Sequence, residues 1–73
     1  MRYFKQYKEK GAEPQEITKE EARRLLDGWW NEESLDEMFS KGKAFRLFTP
    51  YCEVWTQNER GMVPMAGFYG IVG

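Results

Sequence analysis

The clearest hydrophobic period lies in ITKEEARRLLDGW, where Ala22, Leu25, Leu26 and Trp29 fall at i, i+3, i+4 and i+7 and predict one stripe of an amphipathic helix. Thr18 and Glu21 have the spacing of a capping box, Ile17 stands where a hydrophobic staple would, and Gly28 suits the position just past a helix end. A helix is therefore predicted from about Lys19 to Asp27. NEESLDEMFSKGK repeats the pattern on a smaller scale. Ser34 with Glu37 predicts a second capping box, Leu35, Met38 and Phe39 a short apolar stripe, and Gly42 a stop. Glu32, Glu33, Asp36 and Glu37 gather at the start of that helix, where its dipole favours negative charge.

Outside residues 17–42 the period shortens to two. RYFKQY places Tyr3, Lys5 and Tyr7 on one side and Arg2, Phe4 and Gln6 on the other, a strand with both faces partly used; GAEPQE then reads as a polar loop. AFRLF alternates Phe45 and Leu47 against Arg46, and YCEVWT is rich in the aromatic and β-branched residues of strands, with Pro50 marking an edge position, a bulge or a bend between two strand pieces. QNERG predicts a hairpin connection in which Asn58 and Gly61 can take positive φ, and MVPMAGFYGIV a returning strand. On that returning strand, Met62, Met65, Phe68 and Ile71 are candidates for core or oligomer contact. Tyr69 and its flanking glycines would either close the protein's own sheet or present an edge.

Together these elements predict an α+β fold over residues 1–73 as one small domain. Its small antiparallel β-sheet would carry two short helices packed on one face, in the order β-α-α-β-β-β.

Charge changes this picture little but excludes a class of partner. Residues 1–10 are basic, residues 11–42 carry nine acids against four bases, and the whole chain has net charge -1. An acidic centre between mildly basic ends is not the footprint of a nucleic-acid binder, so direct nucleic-acid contact is not expected. No basic-then-apolar leader and no long apolar run is present, and Cys52 is a single cysteine; the expectation is a cytoplasmic protein without membrane contact.

Candidate chemistry is sparse. The chain has no histidine, which removes Ser-His and Cys-His nucleophilic systems and the usual zinc spacings. The paired carboxylates Glu33 with Glu37 and Glu32 with Asp36 fit a solvated acidic face better than a metal site, and Cys52 sits among apolar neighbours as a small buried hydrophobe. GFYG, with Gly67 and Gly70, precedes no helix and so predicts no phosphate loop. No enzyme activity, cofactor or metal is expected.

Aromatic residues are the strongest departure from an average composition, at 16% of the chain. Two adjacent indoles, Trp29 and Trp30, seldom point into one small core. Trp30 would either roof the junction between the helices or stack on a planar ligand or partner protein. Arg46, Tyr51, Arg60 and Tyr69 are the polar-tipped groups that could complete a binding site with Trp29 and Trp30.

Through FRLFTPY, EVWT and VPMAGFYG, the chain resembles, over most of residues 17–73, a group of short proteins of unknown function encoded by phages and mobile elements of gut bacteria. The resemblance transfers no catalytic or binding residue. It implies a small cytoplasmic accessory product of a mobile element, a class in which inhibitors of host defence are common. The leading expectation is thus a non-enzymatic inhibitor that binds a host defence protein. The alternatives are a sponge that stacks a small nucleotide signal on Trp30 or Tyr69 and holds its phosphates with Arg46 and Arg60, which would have to converge in a pocket at a subunit interface, and a homo-oligomeric structural protein.

Overall fold

A computed structural model describes residues 1–69. Its elements are β1 (Arg2–Tyr7), β2 (Gln15–Ile17), α1 (Lys19–Leu26), α2 (Glu32–Ser40), β3 (Arg46–Phe48) and β4 (Cys52–Gln57). The strands form one antiparallel sheet in the order β2-β1-β4-β3. The α+β class is as the sequence pattern predicts, and β1 and β4 are its central pair.

Alternation along the strands decides which face the helices cover. Tyr3 lies opposite Thr56, Tyr7 opposite Cys52 and Leu47 opposite Val54, so these side chains share one face. Ala22 and Leu26 from α1, and Leu35, Met38 and Phe39 from α2, pack on that face to form a single buried cluster with Phe45. The rings of Tyr3, Phe39 and Phe45 meet at its centre, with centroids 5.4 to 6.2 Å apart. Lys5 also points to this side. Its Nζ donates to Glu21 Oε2 at 2.8 Å and so ties β1 to the first turn of α1.

The uncovered face is closed by a different device. Glu16, Phe4, Trp55 and Arg46 lie in one row across all four strands. Phe4 and Trp55 stack at 5.8 Å, Arg2 lies over Phe4 at 5.2 Å, and Arg46 lies over Trp55 at 5.9 Å. Each guanidinium also pairs with a carboxylate, Arg2 with Glu16 and Arg46 with Glu53. Trp55 is only 8% exposed as a result, although no helix covers it.

Four local features depart from the sequence reading. GAEPQE is not all loop: Gln15 and Glu16 join Ile17 in the edge strand β2, which three cross-strand pairings to β1 stabilise where local propensity does not. The second helix begins three residues earlier than Ser34 would set. Asn31 is its cap, with Oδ1 accepting from Ser34 N at 3.1 Å. Thr18 caps α1 as expected, but the Glu21 carboxylate turns to Lys5 and completes no capping box.

The largest difference concerns the returning strand. Residues 61–69 form no strand. The connection at 58–62 is instead an Asx-type turn: Asn58 Oδ1 accepts from the Arg60 and Met62 amides at 2.9 and 3.0 Å, and Gly61 alone takes positive φ there. Pro64 and the turn at Met65–Phe68 break the ladder, and among the described residues the backbone bonds from this segment to β3 are those of the Gly67 N–H and the Phe68 carbonyl with Arg46. Met62 and Met65 are exposed rather than core, at 63% and 77%. Gly70 and Ile71 lie outside the described residues.

Two stability predictions follow from this packing. Leu26→Ala or Leu35→Ala, each removing a fully buried side chain, is expected to lower unfolding free energy by about 2–5 kcal/mol in urea titration; a loss below about 1 kcal/mol would show that the core is not closed there. The hydrogen bond from Arg2 holds the Glu16 carboxyl below its ordinary value of 4.5, and those from Lys43 and Lys41 do the same for Glu37. A lowered folded-state pKa means the pairs stabilise the fold above 4.5 and lose that effect as pH falls through the folded value. The urea midpoint should therefore fall between about pH 5 and pH 3, and fall less steeply in a Glu16→Gln/Glu37→Gln variant; equal slopes would refute the assignment.

Candidate functional site

Three chain segments meet at the end of the sheet where β1 stops and β4 starts. The first is the link between the helices. The Asp27 amide still closes on Arg23 O, and Gly28, at φ +90°, then reverses the backbone in a way a side chain would hinder. The amides of Trp29 and Trp30 both donate to Leu26 O, at 3.1 and 3.2 Å, which fixes the backbone from which one indole reaches Tyr51 and the other Tyr69. Neither can follow Leu26 into the core.

The second segment is the β3–β4 turn, Thr49-Pro50-Tyr51. Thr49 is buried. Its Oγ1 accepts from the amides of Tyr51 and Cys52 at 3.1 and 3.0 Å, and the Thr49 amide donates to Cys52 O. This side-chain turn holds Pro50 and Tyr51 outward. The third is the end of β1, where the Lys8 amide donates to Tyr51 O at 3.1 Å. Lys5 Nζ donates to Tyr7 OH and lies 5.0 Å from its ring. Glu21 first, and then this hydroxyl, raise the pKa of the Lys5 ammonium above its ordinary value.

The result is an aromatic end. Trp29, 51% exposed, meets Tyr51, 67% exposed, edge to face at 6.0 Å. Tyr7 is exposed near Tyr51, and Phe48 is exposed on the other face of the sheet end, with Lys8 Nζ 5.9 Å from its ring. Tyr7, Lys8, Glu9, Pro50 and Tyr51 line an open depression of about 540 Å³.

Trp30 has a structural role at the rim. Its Nε1 donates to Phe48 O at 3.3 Å and its ring stacks on Tyr69 at 5.9 Å. With the Gly67 and Phe68 bonds to Arg46, this occupies most of the outward backbone groups of β3, so the sheet edge on that side is largely closed. Tyr69 itself is partly buried against the core, and its hydroxyl meets no partner among the described residues.

Of the six residues the sequence nominates, the structure therefore gathers Trp29, Trp30, Tyr51 and Tyr69 and separates the two arginines. Arg46 is bound by Glu53 through two hydrogen bonds on the uncovered face of the sheet, with a third to Pro64 O. Arg60 lines a different depression with Met1, Asn58, Glu59 and Met62. The length of β4, roughly 17–20 Å, lies between it and Tyr51. No planar ligand can be stacked on Trp30 and held by Arg60 at once. Tyr7, Lys8 and Phe48 belong to the aromatic end without having been nominated. The alternation that places Phe45 and Leu47 inward assigns Phe48 to the outward side, whereas no local signal brings Tyr7 to Tyr51.

Trp30→Ala, which removes a stack and a hydrogen bond, is expected to cost about 2 kcal/mol of stability by chemical denaturation. Trp29→Ala should cost less than about 1 kcal/mol, and the reverse order would overturn this division of roles. Among the described residues no three acidic or cysteine side chains cluster as metal ligands would, and no helix is long and apolar enough to cross a membrane. Comparison with family models, with curated proteins and with solved structures finds no match to this chain.

Proposed function

We propose that this chain is a non-catalytic protein-binding module whose contact surface is the aromatic end. The observation that carries this reading is the contiguity of Trp29 and Tyr51, both more than half exposed, with Tyr7 lining the same depression as Tyr51. Solvent is a costly neighbour for such rings, and Trp and Tyr are the residue types that most often carry binding energy between proteins. The fold holds them without requiring their burial: the Leu26 carbonyl places Trp29 and the Thr49 turn places Tyr51. A partner would thus meet preorganised side chains and lose little entropy in ordering them.

The resemblance to phage and mobile-element proteins supplies the partner class, a defence component in the cytoplasm of a bacterial host that is inhibited when its surface is covered. The nucleotide sponge is less well supported, because its two arginines do not converge with Trp30 and Tyr69. Self-assembly by strand addition is likewise weakly supported. The β3 edge is largely closed, and β2 offers three residues preceded by Pro14.

Affinity capture from a bacterial lysate tests the reading when three baits are compared. The intact chain and an Arg60→Ala control should retain the same protein, and a Trp29→Ala/Tyr51→Ala bait should lose it by at least tenfold. The purified partner's own activity should then fall when the intact chain is added. Equal retention by all three baits would remove the aromatic end from the proposal, and a stoichiometric nucleotide released on denaturing the chain would favour the sponge.

A further inference from the structure

The charges around the aromatic end narrow the chemistry of what it takes. Between Arg24 and Lys41 the chain carries five carboxylates and no base. Two of the five are compensated within the fold, Asp36 by Arg23 and Glu37 by Lys41 and Lys43. Asp27, Glu32 and Glu33 make no ion pair among the described residues, and all three are exposed within four positions of Trp29; Lys8 and Glu9, which line the depression beside Tyr51, make none either and offset one another, so the unpaired excess is acidic.

Glu32 and Glu33 have a structural use in the first turn of α2, where they complement the helix dipole. Asp27 has none. It caps the C-terminus of α1, the end at which the dipole disfavours a carboxylate. A misplaced negative charge thus sits two residues from the most exposed indole of the chain, itself in contact with the exposed Tyr51 ring. Indole and phenol faces attract cations, and more strongly when a carboxylate stands beside them.

We propose, resting on the protein-binding reading above, that the aromatic end docks a basic segment of the partner protein. An Arg or Lys of that segment lies on the exposed ring of Trp29 or Tyr51 and against Asp27, Glu32 and Glu33, with a neighbouring apolar side chain in the depression beside Tyr7 and Pro50. A second copy of this chain is a poorer occupant, because close approach of two such ends sets three uncompensated carboxylates near three others with a single ammonium without an ion pair, Lys8, on each side to offset them.

A random dodecapeptide library panned on the intact chain tests this without knowledge of the partner. Peptides that survive counter-selection on Trp29→Ala/Tyr51→Ala should be enriched in Arg or Lys next to Leu, Ile or Phe. A synthetic copy should bind at least tenfold more weakly to Trp29→Ala, and roughly three- to tenfold more weakly to Asp27→Asn/Glu32→Gln/Glu33→Gln. Its affinity for the intact chain should fall as salt rises from about 50 to about 300 mM. Neutral or acidic peptides that depend on Trp29 would overturn the basic partner and leave the protein-binding reading standing. Peptides indifferent to Trp29 and Tyr51, or no enrichment at all, would overturn both. A dimer by light scattering that Trp29→Ala abolishes would replace the basic segment with a second copy.

Discussion

The pairing of β1 with β4 is the contact on which the other elements depend. Six consecutive cross-strand pairs, from Arg2 opposite Gln57 to Tyr7 opposite Cys52, join the start of the chain to a segment some fifty residues later. Among the described strands β2 pairs with β1 and β3 with β4, so without the central pair each three-residue edge strand would be half of an isolated hairpin, which is marginal in water. The same register sets both faces at once, because a slip of one residue would exchange Tyr3, Cys52 and Val54 with Phe4, Glu53 and Trp55. Since the pairing encloses residues 8 to 51, its loop closure must be met before the contacts stabilise it.

Each face then solves its own problem. The inner face buries apolar side chains beneath two short helices. The outer face has no such cover and instead sets guanidinium groups against aromatic rings and carboxylates against the guanidinium groups. Individually these exposed pairs stabilise little. Collectively they keep Phe4 and Trp55 from presenting a bare apolar surface. That arrangement also explains why Arg46 is not free for a ligand: its side chain is part of the sheet's own covering.

The aromatic end is where such compensation is incomplete. Trp30 is used by the fold, as a hydrogen-bond donor to the β3 edge and as a stacking partner for Tyr69. Trp29 and Tyr51 touch each other and otherwise face solvent. The adjacent carboxylates are similarly unmatched, in a molecule that pairs many of its other charges. The exposed Met62 also has charges beside it that make no ion pair among the described residues, Glu59 and Arg60, but these are one of each sign, whereas Asp27, Glu32 and Glu33 near Trp29 share one sign.

How much was legible in advance follows the range of the forces involved. The stripe Ala22, Leu25, Leu26, the Thr18 cap, the strand alternation at Phe45 and Leu47 and the burial of Cys52 all depend on neighbours within a turn or two, and the sequence determined them. β2, the Asn31 cap in preference to Ser34, and the failure of residues 61–69 to form a strand were decided by competition among near-equal local options, which only tertiary pairing resolves. The candidate site divides along the same line. Adjacent indoles already indicated that both would not enter the core; both are exposed, and which of them the fold also uses depended on the position of the Phe48 carbonyl. Whether the arginines would join them depended on which carboxylates the sheet register placed beside them. Sequence by itself determined the elements and the surplus of aromatic side chains, because both are local or compositional. Tertiary structure alone decided where that surplus was left uncovered, because exposure depends on what the rest of the chain folds against it.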